Sequence, residues 1–359
     1  VTAGEPVTVT VGVVGLGLIG GSLARALSGR GVAVVATDVS GVARSAARHA
    51  GLDVADDVAA LVARRPAILV LAAPLRAMRS VAGDVARAVE AQIEASAGWD
   101  PTVMDVGSVK GPVREAVTDA GLGGRFVGAH PMAGTERSGF TASDDRLLVG
   151  ARWAVTVDDA TDLRRLEQVL RLLTGPLAGT VAVLTDDLHD EATALISHVP
   201  HVLATQLLNA VAGSDVRDLA LGLSAGSFRD GTRVAFSDPR RTQAMVTENA
   251  AWVTPVLRLA VRDLEALADA LDANAPTHEF FDRAAAVRET RQAAVPVARV
   301  PAPGAQASGG ASAGGTPAGE GSASAAERIP LADAAAALVA RCAAGAVVVG
   351  VQDGAALVR

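Results

Sequence analysis

The sequence predicts an α/β protein: a doubly wound, mainly parallel sheet in the N-terminal half, followed by an all-helical domain. Two observations carry this reading. Short apolar runs of β type alternate with alanine-rich helical patterns up to about residue 184, and beyond Asp186 those runs vanish while long helical patterns take over. A glycine-rich turn between the first strand and the first helix adds a third.

The strands read in order as "VTVGVV", "VAVVATD", "AILVLAAP", "PTVMDV", "RFVGAH", "WAVTV" and "GTVAVLT". Near-continuous apolar runs of this kind belong to a sheet covered on both faces. Between them, "GGSLARALSGRG" and "LRRLEQVLRLLTG" are apolar at three-to-four residue spacing and stopped by glycine, as helices are. The sequence therefore predicts a sheet domain over 1–184. Residues 185–292 come next as a helical domain, whose apolar faces exceed what one chain can bury and so predict a homodimer. The stretch 293–328, rich in Ala, Gly, Ser and Pro, reads as a flexible linker. The tail, 329–359, reads as one helix and a hairpin turning at "DG", too short to stand alone and so expected to dock or stay marginal.

Composition narrows the function classes. The chain has 359 residues, half of them hydrophobic, enough for about two domains with a sizeable core. A formal net charge of −7, with both signs interspersed, offers no footprint for nucleic acid or an anionic membrane. The single cysteine, Cys342, excludes a disulfide framework and a cysteine-rich zinc site, and suits a reducing compartment. The longest apolar run is about half of what a bilayer needs, and the first residues lack a signal-peptide pattern, so the expected location is cytoplasmic.

In "VTVGVVGLGLIGGSLARAL", Gly15, Gly17 and Gly20 form a G-x-G-x-x-G pattern at the start of a helix that comes directly after a strand. Gly15 allows the tight turn, Gly17 lets the backbone approach a pyrophosphate, and Gly20 lets the helix pack on the sheet. Leu18 and Ile19 stand in the first helical turn, where free N–H groups favour an anion. Asp38 closes the second strand, where a carboxylate accepts from the adenosine ribose, and Ala73 and Pro74 come after the strand "AILVLAAP" on the same side. The context makes this a Rossmann-type site and favours NAD. Arg44, a few residues beyond Asp38, keeps NADP open as the alternative.

Two polar residues stand directly after other strands: Ser108 in "DVGSVKG" and His130 in "GAHPMAGTERSGF". Ligands bind outside the carboxyl ends of such strands, so both are candidates to meet near a nicotinamide. A histidine there accepts a proton from a hydroxyl under oxidation, and a serine beside it fixes its tautomer. In "LHDEATALISHVPHVLATQ", ideal helical spacing puts Asp190, Ser197 and His201 within about 40° on one face, with His189 and His198 elsewhere. That spacing argues against a metal site, and none is expected. The polar loop "SAGSFRDGTRVAFSDPRR" carries Arg229, Asp230 and Arg233, and a guanidinium suits bidentate carboxylate recognition.

Taken in order, "GLGLIGGSLARAL", "DVGSVKGPV", "FVGAHPMAGTERSGF", "LISHVPHVLA" and "FRDGTRVAFSDP" resemble the prephenate/arogenate dehydrogenase family over roughly residues 9–290. The resemblance implies NAD-linked oxidative decarboxylation of a cyclohexadienol, with prephenate favoured and arogenate as the alternative substrate. It implies that His130 is the catalytic histidine and that Ser108 links it to the nicotinamide. Thr135 and Glu136 would shape the pocket, Ser197 and His201 would contact substrate, and Arg233, partnered by Asp230, would bind a carboxylate. The tail is too short for the regulatory ACT domain that some relatives carry. β-Hydroxyacid dehydrogenases share this two-domain plan but rely on a lysine in the helical domain, and residues 185–290 contain none. A non-catalytic NAD-binding sensor remains as a reading from another class.

Overall fold

The computed structural model describes residues 10–96, 98–293 and 326–359. Eleven strands among them form one sheet: β1 (Thr10–Val14), β2 (Ala33–Thr37), β3 (Asp53–Val54), β4 (Ile68–Leu71), β5 (Thr102–Asp105), β6 (Phe126–Pro131), β7 (Arg152–Thr156), β8 (Thr180–Leu184), β9 (Glu327–Pro330), β10 (Val348–Gln352) and β11 (Ala355–Val358). Their order is β3-β2-β1-β4-β5-β6-β7-β8-β10-β11-β9. Strands from β3 across to β6 run parallel, β7 is antiparallel to β6, and β8 is parallel to β7. The chain winds outward from β1 in one direction and from β4 in the other. That reversal creates the crevice where ligands of doubly wound sheets sit.

Period-two alternation sends the strand residues into two cores. Val11, Val13, Ile68, Val70 and Met104 join α1 (Leu18–Ser28) and α6 (Leu163–Thr174) on one face. On the other, Val14, Leu69, Leu71 and Val103 pack with residues of α3 (Val58–Val62), α4 (Met78–Ala95) and α5 (Gly111–Asp119). Helix α2 (Gly41–His49) starts at a Ser40 cap whose hydroxyl accepts from the Ala43 amide. Both faces are thus covered, which is why the strands read as unbroken apolar runs.

From Asp186 onward the described chain is helical as far as residue 293. Helix α7 (Asp186–Thr193), capped by Thr185, passes through a π turn (Ala194–His198) into α8 (Val199–Ala212). Pro200 stands just beyond the π turn. Its ring excludes the carbonyl four residues back, so the chain widens rather than holding α geometry. Then come α9 (Arg217–Gly222), α10 (Gly226–Thr232), a 3₁₀ turn (Arg233–Phe236), α11 (Pro239–Glu248), α12 (Ala250–Asp272), α13 (His278–Asp282) and α14 (Ala285–Ala293). No helix of the described residues is long and apolar enough to cross a membrane.

The described residues up to Thr254 group with 326–359 in one unit, and those from Pro255 form a second. The physical reason is burial: His189, Asp190 and His198 are at most 3% exposed, so the first helices after β8 are anchored in the sheet unit. Within the second unit, Arg283 pairs with Asp263 at 2.9 Å.

The tail also differs from expectation. It contains the predicted helix, α15 (Ala335–Ala343), and the hairpin β10–β11, turning at Asp353 and Gly354, both with positive φ. It also contains β9, so Glu327 and Arg328 belong to a strand rather than to the linker. The rest of the expected linker, 294–325, lies outside the described residues. The tail is docked: β10 pairs with β8 at Val348 and Val181, and Leu338, Cys342, Val348 and Ala356 share the core of α1 and α6. An edge strand with unpaired backbone groups is what such a tail can cover.

Candidate active site

The glycine turn sits at the carboxyl end of β1, beside the reversal in strand order. Gly15 has φ +111°, and a Cβ there would lie 2.4 Å from the Ala72 carbonyl oxygen. At Gly20 a Cβ would lie 2.0 Å from the Gly15 carbonyl oxygen, so this glycine allows helix and strand to touch. Gly17 is different: a Cβ would meet nothing within 4 Å, which leaves open space at the start of α1. Leu18 buries its side chain, so its offering to a ligand is its backbone amide; Ile19 is half-buried. Ala73 is half-buried and Pro74 exposed, just past β4.

Asp38 stands just past β2 and is half-buried. Its carboxylate accepts from the Leu16 amide at 2.6 Å and the Ser40 amide at 2.7 Å, which ties the glycine turn to the end of β2. Arg44 is occupied nearby, donating to the Asp38 and Val39 carbonyls at 2.5 and 3.2 Å. A carboxylate held in place, open space at Gly17 and a helix start fit the adenosine and pyrophosphate of a dinucleotide.

His130 lies in β6, next to β5, whose last residue is Asp105. Its Nδ1 is 2.9 Å from Nε2 of His189, the rings meeting edge to face with centroids 5.1 Å apart. Among the described residues Nε2 of His130 has no hydrogen-bond partner. On the far side of His189, Nδ1 meets Asp190 at 2.7 Å. Asp190 in turn accepts from the backbone amides of Lys110 at 2.8 Å and Gly111 at 2.9 Å, at the start of α5. Burial pushes the Asp190 carboxyl upward, but hydrogen bonds from His189 and these two amides outweigh it and hold the group below its usual range.

Beneath this chain lies an ion pair with no exposed side-chain surface, Lys110 with Asp105. The ammonium also donates to the Ala129 carbonyl at 2.8 Å, and the carboxylate accepts from the amides of Ala129 at 3.0 Å and Gly107 at 2.7 Å. The pair thereby fixes the backbone on the N-terminal side of His130. Burial, then His189, Lys110 and His198, drive the His130 imidazole well below its ordinary 6.5. It is neutral at neutral pH and able to accept a proton. His198, its ring nitrogen 2.9 Å from the Asn249 amide nitrogen, is pushed by burial down to about 4.

Several predicted residues sit differently from expectation. Ser108 is half-buried in the loop after β5, but it is His189 that hydrogen-bonds His130, and no bond joins Ser108 to His130 among the described residues. Asp190, Ser197 and His201 do not share one polar face. The π turn inserts a residue and rotates the helix beyond it by about 100°, so Asp190 is buried while Ser197 and His201 are half-buried. His201 instead pairs through Nδ1 with the Ser197 carbonyl at 2.8 Å. Thr135 and Glu136 lie in an exposed loop, with Arg241 donating to the Thr135 carbonyl at 3.1 Å. Asp230 pairs with Arg229 at 3.6 Å rather than with Arg233, whose 3₁₀ turn packs on α8. Arg233 stands three residues on from Asp230, a spacing that faces it on an α-helix, but the chain passes from α10 into the 3₁₀ turn there, and on an exposed surface either pairing is worth little. No group of three metal-ligating side chains that could hold an ion exists among the described residues.

Sequence reasoning passed over His189, Asn249, Asp105 and Lys110. One signal was available: Lys110 is the only lysine in a chain whose other strong bases are all arginine.

Comparison with known proteins identifies a family for the chain. The family model "Prephenate dehydrogenase, nucleotide-binding domain" covers residues 23–195, and "Prephenate dehydrogenase, dimerization domain" covers 185–283. A cyclohexadienyl dehydrogenase from Zymomonas mobilis is 35% identical over 267 residues, spanning 73% of this chain and 88% of the relative. A prephenate dehydrogenase from A. aeolicus, solved in complex with hydroxyphenyl propionate and NAD+, superposes with a TM-score of 0.69 at 30% identity, covering 79% of this chain and 97% of its own. The arogenate dehydrogenase of Synechocystis gives 0.65 at 27% identity, with 79% and 99% covered. With both family domains in order and a relative matched over most of its length, this chain belongs to the prephenate dehydrogenase family.

Proposed function

We propose that the protein catalyses NAD-linked oxidative decarboxylation of prephenate to 4-hydroxyphenylpyruvate, with arogenate, which would give tyrosine, as the second candidate substrate. The observation that carries this is His130: a neutral imidazole in β6, with Nδ1 engaged by His189 and Nε2 clear of hydrogen bonds to described residues. NAD, held at the glycine turn and Asp38, supplies the hydride acceptor. His130 Nε2 accepts the hydrogen bond of the ring hydroxyl as hydride leaves the same carbon. Loss of CO₂ from the opposite ring position returns the electron pair to the ring, which becomes aromatic, and the hydroxyl proton ends on the phenolic oxygen. Aromatisation drives the step, and preorganisation of His130 is what the protein contributes to it.

Around His130 we assign Ser108 to the nicotinamide side and Thr135 and Glu136 to the pocket border. Ser197 and His201 we assign as polar contacts to substrate, and Arg233, in the 3₁₀ turn that comes after the helix carrying Asp230, as the carboxylate binder. Relatives named for prephenate, cyclohexadienyl and arogenate dehydrogenases support the substrate class. Exposed apolar side chains at Leu195, Ile196, Leu203, Leu207, Leu219 and Leu223 support a homodimer through the helical region, as the name of the second family domain suggests. A cytoplasmic location is supported by one buried, unpaired cysteine.

Absorbance of reduced nicotinamide tests the reading directly, with prephenate and arogenate each paired with NAD and NADP. Turnover of prephenate with NAD at the fastest rate is the expected result. Absence of turnover in all four mixtures would sink it in favour of an NAD-binding sensor.

A further inference from the structure

The chain His130–His189–Asp190 goes beyond a single catalytic histidine, and its logic can be traced atom by atom. Asp190 Oδ1 already accepts from the Lys110 amide, and a carboxylate has no proton to give, so Nδ1 of His189 is a donor to it. A base awaiting a proton requires His130 to be neutral; where the His189 ring is neutral as well, its Nε2 is the acceptor. His130 Nδ1 must therefore be the donor at 2.9 Å, and its bare nitrogen is Nε2. For two neutral rings one arrangement of protons satisfies all three groups, and it aims the lone pair of His130 away from the buried layer.

We propose that His189, held by Asp190, is a positioning residue that fixes His130 in the Nδ1–H tautomer and shares the positive charge when His130 takes a proton. This deepens the proposed function and rests on His130 being the base. When the hydroxyl proton moves to Nε2 of His130, the Nδ1 proton is drawn toward His189 Nε2. Positive charge then spreads toward the Asp190 carboxylate, and the proton returns to the phenolic oxygen once CO₂ has left, so the protein ends unchanged. The other charged and titratable groups facing the pair are Lys110 and Asp105, which neutralise each other, and His198 from the π turn, bonded to Asn249. Asn249 also donates to the Asp190 carbonyl at 2.8 Å, which ties α7 to the start of the next helices. None of these offers Nδ1 of His130 a second partner.

The test combines nitrogen NMR of histidine-labelled protein with kinetics, using the full chain. In the wild type, the resonances that disappear in His130→Asn should report a protonated Nδ1 and a bare Nε2. His189→Leu should leave a mixture of the two tautomers, whereas His189→Gln, whose carbonyl can accept from Nδ1–H, should keep the wild-type form. In turnover, His189→Leu should lose about 10- to 100-fold in kcat, less than the loss of the base itself, with KM for both substrates within about twofold. His189→Gln should recover most of that loss. The proposal is overturned if wild-type His130 carries its proton on Nε2, if His189 is doubly protonated in the resting protein, or if His189→Leu keeps wild-type kcat. Should the wild type oxidise no cyclohexadienol, the activity reading fails, and the NMR result still decides the tautomer assignment.

Discussion

Two sides of the same site are built in opposite ways. Under His130, Lys110, Asp105, His189, Asp190, His198 and Asn249 are each at most 3% exposed and joined by hydrogen bonds. On the side proposed to recognise substrate, Thr135, Glu136, Asp230 and Arg233 are exposed, and the ion pair there is a long one between Arg229 and Asp230. The contrast separates two tasks. A base must be neutral and aimed before substrate arrives, so folding itself assembles its surroundings. A carboxylate binder needs freedom for substrate to enter, and pre-pairing it in the interior would cost desolvation that each binding event would repeat.

Lys110→Met should break the buried side most severely. It leaves the Asp105 carboxylate buried without its counter-ion, a change that costs about 3–5 kcal/mol. Urea unfolding should show this as a lower midpoint at unchanged slope. A loss below about 1 kcal/mol would mean that the amides of Ala129 and Gly107 satisfy Asp105 unaided.

The same buried side predicts an acid-labile fold. His198 sits at about 4 in the folded protein against an ordinary 6.5, so between those values the unfolded chain binds the extra proton. Stability therefore rises with pH across that window and falls as pH drops through it, by about 3 kcal/mol in full. His130, lowered for the same reason, acts in the same direction. Unfolding midpoints at pH 7.5 and pH 5 should differ accordingly, and His198→Gln should flatten the dependence. A flat wild-type profile would place His198 in contact with water.

This division also explains what the sequence disclosed. All seven apolar runs became strands because both faces are covered, and Gly15, Gly20 and Asp38 were legible because the turn, the close approach of helix to strand and the tie to the Leu16 amide demand them. Short β3, with two residues, and β9, with Arg328 and Pro330, carry too little apolar pattern to announce themselves. The polar layer was hidden for another reason. His189 lies 59 residues from His130, and Asp190 lies 80 and 79 residues from the Lys110 and Gly111 amides that it accepts from. A π turn also broke the regular angle used to place Ser197 and His201. Spacing along an ideal helix reports which side chains share a face only while the helix stays α. Lys110 alone carried a signal, as the lone lysine in a chain whose other strong bases are arginine.

The smallest effect on the fold should come from the open side. Arg233→Ala removes an exposed side chain, so stability should move by no more than about 0.5 kcal/mol. If Arg233 holds a substrate carboxylate, the variant gives up charge-assisted hydrogen bonds of about 1.5–3 kcal/mol, a rise in KM of about ten- to a hundredfold. The kcat should change far less, because the carboxylate contact is made equally in ground and transition states. Unfolding midpoints measured beside initial rates separate the outcomes. A KM shift at constant midpoint confirms that recognition and base are built independently. An unchanged KM would move the carboxylate site to another arginine, with Arg229 of α10 and Arg241 of α11 as the first to substitute. A loss of stability like that of Lys110→Met would mean that the exposed loop is part of the folded framework, and the contrast between the two sides would fail.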